Sequence, residues 1–311
     1  MQRKKMLIAG LAIALLIGIV SAATISYFGQ IQTTAKVKQA VLLDGRDFNQ
    51  PLTETVNVAG GDSFWRLHYL QSQTSVPVSL VVTTDYDPDL TDDEIVTTYT
   101  TEITDDNTNF GSRSNEIVAI GTSLTLDQVF AGDGLKYEYT VINGGTYDGA
   151  SPIIAVLDLA DGKHIVLFPG WGDRPKGSYY LQYSETVAYD SGANHYVDFV
   201  IYSADWVKQW SSVSTTPIYR PFSAVKSTGI LNGNEVVTRV AIQHQGANTG
   251  EKDRLDLLAF GGYSFPFIQI QDSAPFTLQP GQTVYFVARY KFAVDIYPYT
   301  YTITTTVKPA P

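Results

Sequence analysis

The chain contains no cysteine. No disulfide can staple the fold and no thiol can act as a nucleophile, so stability must come from packed cores, from ions or from neighbouring subunits. Histidine is scarce too: His68, His164, His195 and His244 are the four in the chain. None stands in a His-x-His or His-x-x-x-His spacing, and His-Glu-x-x-His is missing, which removes the common metallohydrolase signature. A Gly-x-Ser-x-Gly elbow, a phosphate-binding Gly loop and the Asn-x-Ser/Thr sequon are likewise absent. Basic residues number 21 against 31 acidic ones, giving a formal net charge of −10. That balance argues against nucleic acid and anionic membranes as partners, because phosphate binding needs basic stripes. Two carboxylate pairs, Glu185 with Asp190 and Asp198 with Asp205, have the composition of a glycosidase dyad. The Glu-x-Asp-x-Glu strand common in lectin-like glycosidases is absent, and the expectation is that the chain is not an enzyme.

What is present begins with an export signal. Arg3, Lys4 and Lys5 precede an uncharged apolar stretch from Met6 to Val20, and Val20-Ser21-Ala22 supplies the small residues of a cleavage site. The apolar run is short of the roughly 20 residues a spanning helix needs, so residues 1–23 read as a cleaved signal peptide and the mature chain as extracellular or cell-surface. Membrane contact is then limited to the signal before cleavage, and the end Lys308-Pro309-Ala310-Pro311 carries no anchor. Cleavage leaves Thr24 to Thr33 at the free end, β-branched and aromatic, without Pro or charge. Such a segment is either the first edge strand of its own sheet or a strand to donate, with Ile25, Tyr27, Phe28 and Ile31 as the side chains to bury.

The body of the chain has the composition of β-sheet, with 20 Tyr and 14 Phe. Short alternating runs separated by Asp-Gly, Gly-Gly and Pro-Gly turns recur throughout, and no stretch of the first section has helical periodicity. The expected fold class is all-β: a jelly-roll or β-sandwich domain, residues 24–126 and 266–311, into which a second β-sandwich, residues 127–265, is inserted. Val284 to Asp295 alternates most regularly, and with Tyr301 to Val307 it reads as a hairpin closing the first domain. Two acidic clusters interrupt the first section. Asp85, Asp87, Asp89, Asp92 and Asp93 imitate the start of an EF-hand loop, but Leu90 and Val96 stand where that loop needs Gly and Glu. The cluster is therefore a solvated acidic loop or a calcium loop of another kind, and Ca²⁺ is the one cofactor to consider.

The middle section resembles lectin-type carbohydrate-binding jelly rolls through the paired strands around Asp161-Gly162, the Phe168-Pro169-Gly170-Trp171 turn and the two tryptophans that follow. Aromatic faces stack on sugar rings while Asp and Asn bind hydroxyls, which makes Tyr147, Asp148, Trp171, Trp206 and Trp210 the candidate sugar-binding residues. The alternative is that these tryptophans plug the sandwich.

The flanks resemble archaeal members of the TasA/camelysin-like family of exported β-sandwich proteins. The resemblance is carried by Ser26-Tyr27-Phe28-Gly29-Gln30-Ile31-Gln32-Thr33-Thr34 and by Lys38-Gln39-Ala40-Val41-Leu42-Leu43-Asp44-Gly45. It continues at Leu70 to Pro77, the Pro280-Gly281 turn and Thr300 to Thr305. It implies a jelly-roll subunit of an extracellular, biofilm-scaffolding fibre, in which the N-terminal strand of one copy completes the sheet of the next. The expected partners are the chain itself, as a head-to-tail homopolymer, and extracellular polysaccharide. The competing function is a secreted carbohydrate-binding surface protein or adhesin.

Overall fold

The computed structural model describes residues 40–47, 52–87, 94–104, 115–143, 153–170, 174–192, 194–212, 220–244, 251–296 and 299–311. Within them the chain is all-β. It opens with β1 (Val41–Leu43), β2 (Arg46–Asp47), β3 (Leu52–Val58), β4 (Ser63–Ser72), β5 (Val78–Asp87) and β6 (Ile95–Tyr99). Then come β7 (Glu102–Thr104), β8 (Glu116–Gly121), the one-turn helix α1 (Leu126–Val129), β9 (Leu135–Asn143), β10 (Ile153–Leu159) and β11 (His164–Pro169). They are followed by β12 (Gly177–Tyr183), β13 (Ala188–Asp190), β14 (Val197–Tyr202), β15 (Lys208–Ser211) and the short helix α2 (Phe222–Lys226). The chain ends with β16 (Val237–His244), β17 (Lys252–Phe260), β18 (Tyr263–Pro266), β19 (Phe276–Leu278), β20 (Thr283–Phe292) and β21 (Tyr299–Pro309).

Four antiparallel sheets make two sandwiches. Sheet I has the order β2-β1-β4-β20-β6 and sheet II the order β19-β5-β21-β3. Between them lies a core that includes Leu70, Leu80, Val82, Phe286, Phe292, Tyr301 and Ile303. Sheet III, β13-β12-β9-β17-β18 with β7 beside β17, faces sheet IV, β15-β14-β11-β10-β16-β8. Their core is larger and aromatic at one end, where Phe130 meets Tyr183, Phe199 and Phe222. Every residue of β10 is buried, as a central strand covered on both faces requires. Its outward Ile154 and Val156 join Val166 and Val200 in a third apolar cluster on the far face of sheet IV.

The boundary of the second sandwich differs from the sequence expectation. β7 pairs with β17 and β8 with β16, so the chain enters the second sandwich just after Tyr99 and not at residue 127. The change of texture near residue 126 marks α1 instead. Its start is set by a capping box, in which Thr125 Oγ1 accepts from Gln128 N at 3.3 Å and Gln128 Oε1 accepts from Thr125 N at 2.9 Å. The chain returns at Phe267 to Ile270, so the first sandwich is built from both flanks.

The two crossings run side by side. Ile270 N donates to Tyr99 O at 3.0 Å, and Gln269 Oε1 accepts from Thr100 Oγ1 at 2.5 Å and from Thr101 N at 3.0 Å. Gln269 Nε2 donates to Thr101 Oγ1 at 2.9 Å, which in turn donates to Leu255 O at 2.5 Å.

The last two strands correct a second expectation. β20 lies between β4 and β6, and β21 between β3 and β5. Each already has two neighbours, so they do not form a hairpin; the chain passes from one sheet to the other across the core that both face. The second face of β20 is also covered. Val287 is buried and Tyr285 packs, with Trp65 and Leu67 of β4, against the core of the second sandwich. No helix of the described residues is long and apolar enough to cross a membrane.

Candidate functional site

The feature of the fold with a ready chemistry is an open side of the first sandwich. β3 is the end strand of sheet II and pairs with β21 alone, leaving its other row of main-chain N–H and C=O groups without a strand among the described residues. In sheet I, β1 covers β4 only from Leu70 to Ser72. The Asp44-Gly45 turn explains why it stops there. Asp44 takes a left-handed conformation with φ of 49°, and its carboxylate accepts from Tyr69 N at 2.8 Å and meets His68 Nδ1 at 2.8 Å. Asp44 N also donates to Tyr69 O at 3.0 Å.

Antiparallel alternation turns the main-chain groups of Leu67, Trp65 and Ser63 to the same side as those of Tyr69. No strand of the described residues pairs with them there. Arg66 Nη1 donates to Trp65 O at 3.1 Å, and Arg66 Nε bridges to Glu54 Oε1 of β3 at 2.9 Å. That bridge joins the two sheets across this side, so β3 and the first half of β4 border one gap. Val56 of β3 and Phe64 of β4 lie half-buried along it, packed on the first core.

The residues expected to fill such an edge, Ile25, Tyr27, Phe28 and Ile31, lie outside the described residues, as do Tyr147, Asp148 and Trp171. Trp206 and Trp210 are placed. Trp210 on β15 meets Phe199 edge-on at 6.4 Å and packs on the second core. Trp206 follows β14 with φ of 59° and stacks flat on His164, ring centres 4.0 Å apart, with Tyr202 at 5.9 Å. They fall on opposite faces of sheet IV and do not form one platform. Asp85 and Asp87 occupy exposed positions on β5, opposite Thr304 and Thr302 of β21, and so belong to a strand and not to a loop. The run Thr83 to Asp87 alternates, which pairing reads more strongly than its charge. Asp89, Asp92 and Asp93 lie outside the described residues, among which no group of three His, Asp or Glu is placed to hold a metal.

Sequence reasoning missed the ionic networks of the second sandwich. Arg174 and Asp190 pair at 2.6 Å with side chains 1% and 0% exposed, and Arg174 Nη2 also donates to Gly170 O at 2.6 Å. Burial raises the Asp190 carboxyl above its ordinary range although Arg174 opposes it. Burial pulls the Arg174 guanidinium down, and Tyr139 and Asp190 together reverse that, for a net rise. The two halves disagree on whether the pair favours its charges. The carboxylate is the more telling half, since desolvation outweighing attraction is the usual balance of a sealed pair.

His244 Nε2 meets Asp253 Oδ2 at 2.6 Å, both side chains fully buried between sheets III and IV. On the far face of sheet IV, Asp158 joins His164 at 2.7 Å and Arg239 at 3.3 Å, and Arg239 continues to Glu116. Three of the four histidines are thus matched to an aspartate across strands, while His195 Nδ1 lies 3.2 Å from Asp190 O. The candidate dyad Glu185 and Asp190 is split between separate ion pairs, Glu185 with Lys226 at 2.6 Å and Asp190 with Arg174. Asp158 and His164 pair across the Asp161-Gly162 hairpin, and no local spacing signals the others, such as Arg239 with Glu116, 123 residues apart on β16 and β8.

No protein-family model and no curated protein matches the chain. Among solved structures, a legume lectin-like domain from Entamoeba histolytica aligns with 88% of this chain and 91% of that chain, at 9% identity and a TM-score of 0.12. At that score the likeness carries nothing about the fold or the ligand of this chain.

Proposed function

We propose that this protein is the structural subunit of an extracellular filament or cell-surface matrix. The N-terminal segment Thr24 to Thr34 of one copy adds as a strand to the open side of the next, and the second sandwich is displayed outward. The observation that supports this reading is the gap bordered by β3 and the Ser63–Leu67 half of β4. An unpaired edge beside half-buried apolar side chains is a template for an extended segment, which gains main-chain hydrogen bonds and buries alternate side chains. Because the donated segment and the accepting edge are different surfaces, the contact is head-to-tail and propagates. Burying Ile25, Tyr27 and Ile31 contributes about 1.5–3 kcal/mol each, and no catalytic role enters the proposal.

The test is negative-stain electron microscopy of the chain from Thr24 and of one starting at Ala35. Filaments are expected from the first only, and a synthetic peptide of residues 24–34 is expected to bind the second stoichiometrically. Monodisperse particles in both samples, with no peptide binding, would sink the proposal. A secreted carbohydrate-binding protein would then be the better reading.

A further inference from the structure

The seam between the two sandwiches holds a cleft of about 1040 Å³. Trp65, Thr98, Arg289 and Lys291 line it from sheet I, and Glu102 and Thr104 of β7 line it from the second sandwich. Arg289 is the group that asks for an explanation. Its Nε donates to Thr100 O at 3.2 Å and its Nη2 to Ile117 O at 2.8 Å, so both acceptors are neutral carbonyls. It makes no ion pair among the described residues, and its Nη1 has no protein acceptor yet is not sealed from solvent, so it opens onto the cleft.

A guanidinium enclosed by protein without an anion is costly. Burial pulls Arg289 down to about 10, with only the more distant charge of Glu116 opposing, and Glu116 is itself engaged by Arg239. Elsewhere in the cleft the acid is already used, since Glu102 pairs with Lys252 at 2.5 Å. Lys291 stands exposed at the mouth without an ion-pair partner among the described residues. Two cations without an ion-pair partner among the described residues thus share a cavity in a protein whose net charge is −10.

We propose that the seam cleft binds an acidic saccharide, its carboxylate on Arg289 Nη1 and Lys291 and its ring and hydroxyls against Trp65, Thr98 and Thr104. The planar fork of a guanidinium matches a carboxylate. The volume lies at the upper end of small-ligand sites, roughly 300–1,000 Å³, which suits a short oligosaccharide. The lining sets the hydroxyls of Ser63, Thr98 and Thr104 beside the apolar side chains of Trp65, Val96 and Ile103, which suits a sugar ring with its hydroxyl edge and C–H face. The inference does not rest on filament assembly, since every group it uses lies within one chain; Ser63 to Leu67 also line the cleft, so a strand donated there and the saccharide would compete for it.

The test is calorimetric titration of the full chain with trigalacturonate, with its methyl ester, and with an aspartate tripeptide. The acid is expected to bind, and the ester and the tripeptide about tenfold or more weaker. Arg289→Gln should lower affinity by roughly thirtyfold, the loss typical of truncating a desolvated charge partner. Arg289 also holds Thr100 and Ile117, so that variant can fail to fold. Lys291→Glu changes an exposed position instead and is expected to weaken binding by about tenfold. Equal binding of acid and ester, no binding of the acid at millimolar concentration, or Lys291→Glu leaving affinity unchanged would each overturn the proposal. Tripeptide binding as tight as that of the acid would overturn the saccharide assignment.

Discussion

Replacing Asp190 by Ala removes one half of a pair whose side chains are 1% and 0% exposed. The guanidinium left behind keeps its bond to Gly170 O and stays packed against Gly192, where a Cβ would lie 2.7 Å from Arg174 Nη2. Losing one partner of a buried pair costs about 3–5 kcal/mol, a large part of the roughly 5–15 kcal/mol that holds a domain folded. The pair as a whole is worth far less. Burial raises the Asp190 carboxyl despite Arg174 beside it, so at the carboxylate desolvation outweighs the attraction. Replacing both, Arg174→Met with Asp190→Leu, is therefore expected to lie within about 1 kcal/mol of the native chain. Urea unfolding followed by tryptophan fluorescence reads the cycle, since Trp210 packs on the same core. Asp190→Ala costing under about 1 kcal/mol, or a double variant as unstable as the two single changes summed, would falsify the argument that the cost lies in stranded charge.

Lys226 joins Asp127 at 2.8 Å and Glu185 at 2.6 Å, tying α2 to α1, and these partners raise its pKa. Stabilisation from a raised base is complete below its unfolded value, about 10.4, and lost as pH rises through the folded value. Lys226→Met should therefore be less stable than the native chain in urea at neutral pH, and the deficit should shrink above that range; a deficit independent of pH refutes the linkage. At the crossing, Gln269→Ala strands the Thr101 amide, while the Thr101 hydroxyl keeps Leu255 O, and should cost about 1–3 kcal/mol. Differential scanning calorimetry should show a broader or more divided transition than that of the native chain as the two sandwiches lose their brace, and a profile of unchanged shape would count against that role.

The all-β class was legible because its signal is local. The alternation of β20, the apolar run of β10 and the Asp161-Gly162 hairpin each lie within a dozen residues, and the structure uses each as a strand or turn. What was not legible depended on pairing at a distance. Nothing in Glu102–Thr104 announces that it leaves sheet I for β17, some 150 residues later in the chain. Nothing in Tyr299–Pro309 distinguishes a hairpin with β20 from a place between β3 and β5, since either buries Tyr301 and Ile303. Charges misled for a related reason. Asp85 and Asp87 read as loop because carboxylates are rare in strands, yet the threonines and tyrosine around them carry the pairing. Arg289 shares its face of β20 with Tyr285 and Val287, and its enclosure comes from a second sandwich whose approach no local pattern encodes.

The open side of the first sandwich also bears on why the N-terminal segment carries one aromatic side chain, Phe28, on its otherwise polar face. If residues 24–33 extend as a strand, Ile25, Tyr27 and Ile31 share one face and Phe28 lies on the other. An edge whose outer face meets water has no use for Phe28. Beside β4 the situation differs, because its outward Trp65 and Leu67 pack against the core of the second sandwich. In the proposed assembly a strand laid along Ser63–Leu67 therefore turns Ile25, Tyr27 and Ile31 toward the first core and Phe28 toward the seam. The opposite side of sheet I carries the crossing from β6 to β7, held by the hydrogen bonds of Gln269, and the insertion thus leaves the β4 side as the route for a donated strand. On this argument the second sandwich is more than a displayed passenger. In the proposed assembly it would supply the outer wall of the groove, and a first sandwich without it would accept the segment with Phe28 left in water.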